Sequence, residues 1–326
     1  MKCWSVRTAL ILFCLLALPF RSPAPLVYTP GEGWTYESAG SKGDWQRTRA
    51  KDQLEVAQTA LDKNDHSLSL KAARRVVKNW PLSDYAPQAQ YLIGRAYEAD
   101  RKDEKAFKAY QQVLEKYPKV ENHQEILGRQ FEITTRFLNG QRFKLWGFLP
   151  LFRSMEKTSD MYAKIIRNGP YSDVAPQAQM NIGAAREKQE EYSQAVKAYE
   201  RAADRYNDRK DVAAEAVYKA GLAYNKQAST AEYDQSVAGQ AIATFTDFMA
   251  LFPNDARGAE AQKLIAALRS EQARGSFQTA KFYEKNKKWD GALIYYNEVL
   301  LKDPDSSLAE TARERIDSLK KQAGRN

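Results

Sequence analysis

One ten-residue stretch of this chain occurs twice. Pro81-Leu82-Ser83-Asp84-Tyr85-Ala86-Pro87-Gln88-Ala89-Gln90 returns 89 residues later as Pro170-Tyr171-Ser172-Asp173-Val174-Ala175-Pro176-Gln177-Ala178-Gln179. Both copies run on into Ile-Gly, then an Ala and a Glu: Ile93, Gly94, Ala96, Glu98 and Ile182, Gly183, Ala185, Glu187. Self-similarity at a fixed spacing in a long chain marks a repeat array, and arrays stack like units to bury a continuous core. Binding is therefore expected ahead of chemistry.

The spacing types the repeat. Ile93, Gly94, Tyr97, Ala106, Tyr110 and Pro118 fit the tetratricopeptide pattern W-x2-L-G-x2-Y…A-x3-F…P with only the leading Trp missing. Gly183, Ala195 and Tyr199 repeat it, with Asn207 at the proline position. Gly221, Tyr224, Ala241, Phe245 and Pro253 fit with a short insertion, and Ala280, Tyr283, Ala292, Tyr296 and Pro304 fit directly. Val56, Ala57, Val76 and Pro81 make a degenerate first copy; Gly128, Phe131, Tyr162, Ile165 and Pro170 make a copy with a larger insertion. The expectation is an all-α fold, an α-solenoid of about six helical hairpins. They span 46–323 and end near 81, 118, 170, 207, 253 and 304, before a capping helix.

Small residues at the Gly and Ala positions let paired helices approach, and Tyr or Phe fills the space to the next hairpin. Pro ends the second helix because it lacks an N–H and clashes with the preceding turn. Ser83-Asp84 and Ser172-Asp173 are expected to cap the helices that follow, with Pro87 and Pro176 in their first turns. No hairpin dipeptide or alternating apolar run competes.

Lys2 and Arg7 precede an apolar run over 8–20, with small residues at Ser22 and Ala24. A basic start followed by a short apolar run reads as an export signal, here 1–24, too short for an ordinary membrane span. Pro25 opposes cleavage after Ala24, so an uncleaved signal anchor is the alternative. Residues 25–45 read as an extended Pro- and Gly-rich leader.

Both cysteines, Cys3 and Cys14, fall inside the signal. The exported chain would then carry no thiol, which removes disulfides, thiol nucleophiles and Cys-based zinc. His66 and His123, at a hairpin turn and after a helix stop, are expected to be solvated. No phosphate loop, H-E-x-x-H or nucleophile elbow is present. The carboxylates, Glu190-Glu191 among them, lie among Lys and Arg on amphipathic helices. No catalytic, metal or cofactor site is expected.

Formal net charge is +9, and removing the signal leaves 47 basic against 41 acidic residues. The excess is dispersed apart from short clusters such as Arg74-Arg75 and Lys285, Lys287 and Lys288, which argues against nucleic acid. A mildly basic exported surface suits acidic partner domains or anionic headgroups.

An exported array of such hairpins resembles the BamD family, lipoproteins of the outer-membrane β-barrel assembly machinery. The P-x-S-D-x-A-P-Q-A-Q junction carries the resemblance, with Tyr28-Thr29-Pro30-Gly31-Glu32-Gly33-Trp34 and the ending Trp289-Asp290-Gly291-Ala292. It covers roughly Lys42 to Lys321. It implies a non-catalytic periplasmic scaffold at the outer membrane that holds the POTRA domains of a BamA-type barrel protein and other complex subunits. It also implies help in delivering unfolded outer-membrane proteins. The chain departs from the family at its lipobox. Cys14 lies mid-signal behind Ile11-Leu12-Phe13, not behind small residues, so lipidation there does not fit and attachment would rest on partners. A periplasmic adaptor for cell-wall or division proteins is the alternative, although no heptad run precedes the array. A murein-acting enzyme on a helical body would need a convergent acid and a pocket.

The concave face of such arrays is built by the first helix of each hairpin. Its candidates for a client groove are Gln88, Tyr91, Arg95 and Glu98; Glu125, Arg129 and Glu132; Gln177 and Met180; and Tyr218 and Asn225. Tyr91, Met180 and Tyr218 could instead pack between helices. Arg95 and Arg129 stand out because a guanidinium holds a carbonyl or carboxylate. The insertion 139–153 gathers large apolar residues, with Phe143, Trp146 and Phe148 as candidates for partner or membrane contact, or else as a lid on the third hairpin. Arg257, Arg269, Arg274 and Trp289 are the candidates for POTRA contact.

Overall fold

The computed structural model describes residues 26–31, 33–36, 45–145, 149–230 and 235–323. The export signal, Cys14, Trp146 and Phe148 lie outside the described residues. The fold is all-α, with thirteen helices among the described residues. The chain divides into two compact units, the first ending at Glu121 and the second beginning at Asn122.

The first unit holds two helical hairpins. Helices α1 (Ala50–Asp62) and α2 (His66–Asn79) form one, and α3 (Ala86–Ala99) and α4 (Asp103–Lys116) the other, each helix packed on the next. Helix α3 starts at a proline in its first turn, where the missing N–H costs nothing. It lies between α2 and α4, so it is buried around much of its circumference.

The second unit continues the pattern. Helices α5 (His123–Leu138) and α6 (Met155–Asn168) flank an insertion; α7 (Ala175–Glu187) pairs with α8 (Tyr192–Arg205), and α9 (Lys210–Thr230) with α10 (Gln235–Leu251). The 28-residue α11 (Gly258–Lys285) pairs with α12 (Trp289–Lys302), and α13 (Ser307–Ala323) caps the end. Six hairpins and a cap result among the described residues.

A glycine–aromatic contact closes four of the six hairpins. A Cβ built on Gly94 would lie 2.4 Å from the Tyr110 ring, on Gly183 2.4 Å from Tyr199, and on Gly221 2.7 Å from Phe245. Tyr110, Tyr199 and Phe245 are all essentially buried. The last hairpin reverses the arrangement, with Gly291 on the second helix against Tyr283 on the first. Buried glutamines add a bond across each repeated junction: Gln90 Nε2 donates to Ala109 O at 3.2 Å, and Gln179 Nε2 to Ala198 O at 3.0 Å. The tight turns between paired helices each place one residue in the left-handed region, at Asn64, Arg101, Glu190 and Lys287.

Three expectations need correction. Ser83 and Ser172 do not cap forward. Each hydroxyl donates back to the end of the preceding helix, Ser83 Oγ to Trp80 O at 2.9 Å and Ser172 Oγ to Gly169 O at 2.7 Å. The capping positions, Tyr85 and Val174, make no side-chain cap bond. The leader is not simply extended: β1 (Leu26–Thr29) pairs antiparallel with β2 (Gly33–Tyr36). The turn between them docks on the second hairpin, where Asp84 N donates to Gly31 O at 2.8 Å. The insertion likewise forms a hairpin, β3 (Phe143–Leu145) with β4 (Leu149–Phe152), its register shifted between Phe143 and Lys144. Its base is tied by Arg153 Nε donating to Gly140 O at 3.1 Å.

Gly183→Ala should lower the stability of the second unit by roughly 1–3 kcal/mol, because the added methyl meets a ring held on all sides. Gly239→Ala, on α10 with open space around its Cβ position, should instead stabilise by about 0.5–1 kcal/mol through helix propensity. Thermal unfolding of both variants checks the pair.

Candidate functional site

The surfaces available for binding are the helix faces left over once hairpin closure has taken its residues. On α3, Gln88 is exposed and Arg95 half-buried. Arg95 Nη1 donates to Tyr91 Oη at 3.0 Å, with its guanidinium 5.8 Å from the same ring. Tyr91 itself is only 4 % exposed and packs on Tyr110 at 5.9 Å between centroids. It is a packing residue that presents Arg95. Glu98 accepts from the Tyr110 hydroxyl at 2.7 Å, which ties it to the closure of its own hairpin.

In the second unit, Arg129 donates from Nε and Nη2 to Glu125 Oε1, at 3.1 and 3.0 Å. Glu132 is exposed. Gln177 donates to Asn181 Oδ1 at 3.2 Å, and Asn181 to Tyr162 Oη at 3.0 Å. Met180 is buried against Val196 and Tyr199. Tyr218 is 5 % exposed and packs on Phe245 and Phe248; burial first, then the neighbouring Glu260, pushes its phenol up to about 12. Tyr91, Met180 and Tyr218 therefore leave the groove for the core. Gln88, Arg95, Glu125, Arg129, Glu132, Gln177 and the half-buried Asn225 keep solvent-facing atoms.

Phe143 is also a core residue, 3 % exposed and stacked on Phe137 at 4.2 Å, with Lys157 Nζ 5.3 Å from its ring centroid. It cannot be a free contact. Arg257 is spent internally as well. It grips Asp255 through Nε–Oδ1 at 2.8 Å and Nη2–Oδ2 at 2.7 Å, and its guanidinium lies 5.0 Å from the Tyr218 ring and 5.4 Å from Phe248. Arg269 is exposed, Arg274 pairs with Glu271, and Trp289 packs half-buried on the last hairpin's core.

Sequence reasoning missed an apolar face at this end. Phe282, Ile294 and Leu301 are 63 %, 60 % and 83 % exposed. Ile294 and Leu301 stand seven residues apart on α12, two turns along one face. Such spacing normally signals a core stripe, and only the placement of α11 and α13 shows that it faces outward.

His66 is not simply solvated. Its Nδ1 lies 2.6 Å from Asp100 Oδ1, across from one hairpin to the next. The hydrogen bond from Lys102, more than that from His66, holds the Asp100 carboxyl below its usual value. Ser276 hydrogen-bonds Glu298 at 3.0 Å and Lys302 at 2.9 Å, a serine–lysine grouping that would suggest a nucleophile. Its full burial closes that hydroxyl to any substrate. No group of His, Cys, Asp and Glu among the described residues is arranged to hold a metal, and no described helix is long and apolar enough to cross a membrane.

Stacked helical hairpins with residual polar and apolar faces form a protein–protein interaction scaffold. The sequence model of the tetratricopeptide repeat family matches residues 54–121, and that of the YfiO family, described as an outer membrane lipoprotein, matches residues 153–325. The chain belongs to the YfiO outer membrane lipoprotein family. That match begins just after the insertion, so it is narrower than the resemblance drawn from about Lys42. No curated protein matches the chain. Solved structures similar to it are tetratricopeptide-like. One is the C-terminal part of a TPR repeat-containing protein from Cytophaga hutchinsonii (14% identity, TM-score 0.37, covering 81% of this chain and 87% of that one). Others are MamA from Desulfovibrio magneticus RS-1 (15%, 0.34, 66% and 99%) and pilF of Pseudomonas aeruginosa (10%, 0.30, 82% and 97%). The fold rests on the helix pairing and the family matches, not on these overlays.

The Asp255–Arg257 clamp should give stability a specific acid limb. The hydrogen bond from Arg257, against opposing burial, lowers the Asp255 carboxyl to about 2, below the roughly 3.9 of an unfolded chain. Its contribution is therefore fully present above about pH 4 and disappears as the pH falls through about 2. Wild type should lose stability relative to Asp255→Asn between those values, measured by denaturant unfolding across that range.

Proposed function

We propose that this protein is a non-catalytic periplasmic scaffold of outer-membrane protein assembly. It holds POTRA domains of a BamA-type barrel protein and helps deliver unfolded β-barrel clients. Membership of the YfiO family over 153–325 carries this reading. The outward faces of the helices fit it.

The apolar face of Phe282, Ile294 and Leu301, with Arg269 and Arg274 on the same long hairpin, is the proposed POTRA contact. Large apolar side chains left in solvent at one end of an array serve a partner better than the isolated chain. Within each unit the solvent-facing remainder of the first helices is a proposed client surface, anchored by Arg95 in the first unit and by Arg129 in the second. A client's carboxylate or backbone carbonyl would replace the Tyr91 hydroxyl on Arg95, and Glu125 on Arg129. The family and the basic, apolar start of the chain support export and a peripheral place on the inner side of the outer membrane.

Tagged full-length protein recovered from detergent-solubilised envelopes should bring a POTRA-bearing barrel protein in near-stoichiometric amount. Recovery of murein or division proteins in its place would move the chain to the adaptor class. Ile294→Asp with Leu301→Asp should abolish POTRA capture while leaving the unfolding temperature within a few degrees. Arg95→Glu with Arg129→Glu should weaken binding of an outer-membrane-protein C-terminal peptide roughly tenfold at unchanged helical content. Binding that survives this double reversal removes both client surfaces from the proposal.

A further inference from the structure

The first unit carries a cleft of about 470 Å³ formed by α2, α3 and α4. Five exposed cations line it: Arg74 and Lys78 from α2, and Lys105, Lys108 and Lys116 from α4. No carboxylate is among its lining residues. Lys78, Lys105, Lys108 and Lys116 have no carboxylate partner among the described residues, whereas lysines elsewhere, such as Lys102 and Lys302, are ion-paired. Arg74 spends its guanidinium on the hydroxyl of Tyr97. It also lies 5.6 Å from that ring's centroid, and Lys105 Nζ lies 5.9 Å from the same centroid. Two cations thus converge on one ring with no anion between them. That arrangement is self-repelling until a negative group arrives.

We infer that this cleft binds an acidic, extended polypeptide segment of a partner protein. The charges define a line, not a point. Lys105, Lys108 and Lys116 span eleven residues of α4, about 16 Å at the helical rise, the length of about five residues of extended chain. A single phosphate would use one end of that line. The floor is apolar at Val77 and Ile93, and the Gln112 amide stands beside it, its Oε1 taking a bond from Gln90 at 3.2 Å. Carboxylates along the rim, an apolar side chain on the floor and a backbone amide at Gln112 fit a peptide. A lipid surface would want these cations on a plane, and here they rim a hollow. The cleft lies outside the proposed POTRA contact and client surfaces, so it stands whether or not those hold.

The repeat supplies an internal control. Helices α6, α7 and α8 follow α2, α3 and α4 at the 89-residue offset, which puts Ala163 at the place of Arg74, Gln194 at Lys105 and Arg186 at Tyr97. Arg186 is ion-paired with Glu191 at 2.7 Å. Lys197 and Arg205, the counterparts of Lys108 and Lys116, remain basic.

The test uses the full chain and a fluorescein-labelled peptide, Glu-Leu-Glu-Glu-Phe-Asp, read by fluorescence anisotropy. A Lys-for-acid version of the peptide and phosphatidylglycerol vesicles run alongside. The acidic peptide should bind, weaken with added salt, and lose roughly tenfold or more in affinity in Lys105→Glu with Lys108→Glu. Lys197→Glu with Arg205→Glu should leave it bound, and circular dichroism should be unchanged in both variants. Failure of the acidic peptide to bind, equal binding of the basic peptide, or equal loss from the two double variants overturns the inference. Vesicle binding that depends on Lys105 and Lys108 with no peptide binding would overturn it in favour of a lipid headgroup.

Discussion

Closure of the second, fourth and fifth hairpins depends on a ring lying where a side chain is missing. The paired helices of a hairpin come close enough to bury Tyr110, Tyr199 and Phe245 because the facing positions, Gly94, Gly183 and Gly221, have no Cβ. A buried tyrosine hydroxyl then needs a partner, and the repeat provides one on the same hairpin. Tyr110 donates to Glu98 at 2.7 Å and Tyr296 to Glu284 at 2.5 Å. Glu187 sits close enough to Tyr199 to help push its phenol up, with burial the larger cause. One contact therefore fixes helix spacing, ring orientation and the use of a carboxylate that would otherwise count as surface charge. This is why Glu98, read from sequence as a groove residue, belongs to closure instead.

The same closeness decides which faces remain free. Helix α3 is covered by α2 on one side and α4 on the other. A first-helix position is thus buried over far more of its circumference than in a helix lying on one surface. Tyr91, Met180 and Tyr218 look like groove residues in sequence because they avoid the Gly and Ala positions, yet each is buried against the second helix of its own hairpin. Conversely, Ile294 and Leu301 have the spacing of a core stripe and face solvent, because α13 covers another side of α12. Periodicity identifies a helix and its faces. It does not say which face the next helix takes.

Most of the hairpin architecture was legible because its determinants are local in sequence: glycine, alanine and aromatic positions at fixed offsets, with proline at the stops. The misses involve partners far apart or signals too short. His66 meets Asp100 across 34 residues, and no local pattern announces it. The insertion forms β3 and β4 without alternation or a turn dipeptide. Its inner anchor, Phe143, is held by stacking on Phe137. The serines of the repeated junction were assigned to capping by residue type. In fact the close approach of the preceding helix end gives their hydroxyls a carbonyl to satisfy.

Comparing the two copies of the repeated segment separates what the architecture requires from what each hairpin adds. The bonds from Ser83 and Ser172, from Gln90 and Gln179, and from Tyr117 and Tyr206 to Pro81 and Pro170 are the same in both. So are the two glycine–tyrosine contacts. Positions that differ lie where these bonds do not reach: His66 against Met155, Arg74 against Ala163, Tyr97 against Arg186, Asp100 against Gln189, Lys105 against Gln194. A frame repeated this closely leaves outward positions free to change charge without loosening the core. An array can then present a basic hollow between its first two hairpins and exposed apolar residues on its last. Specificity in such a protein resides in the departures from its own repeat.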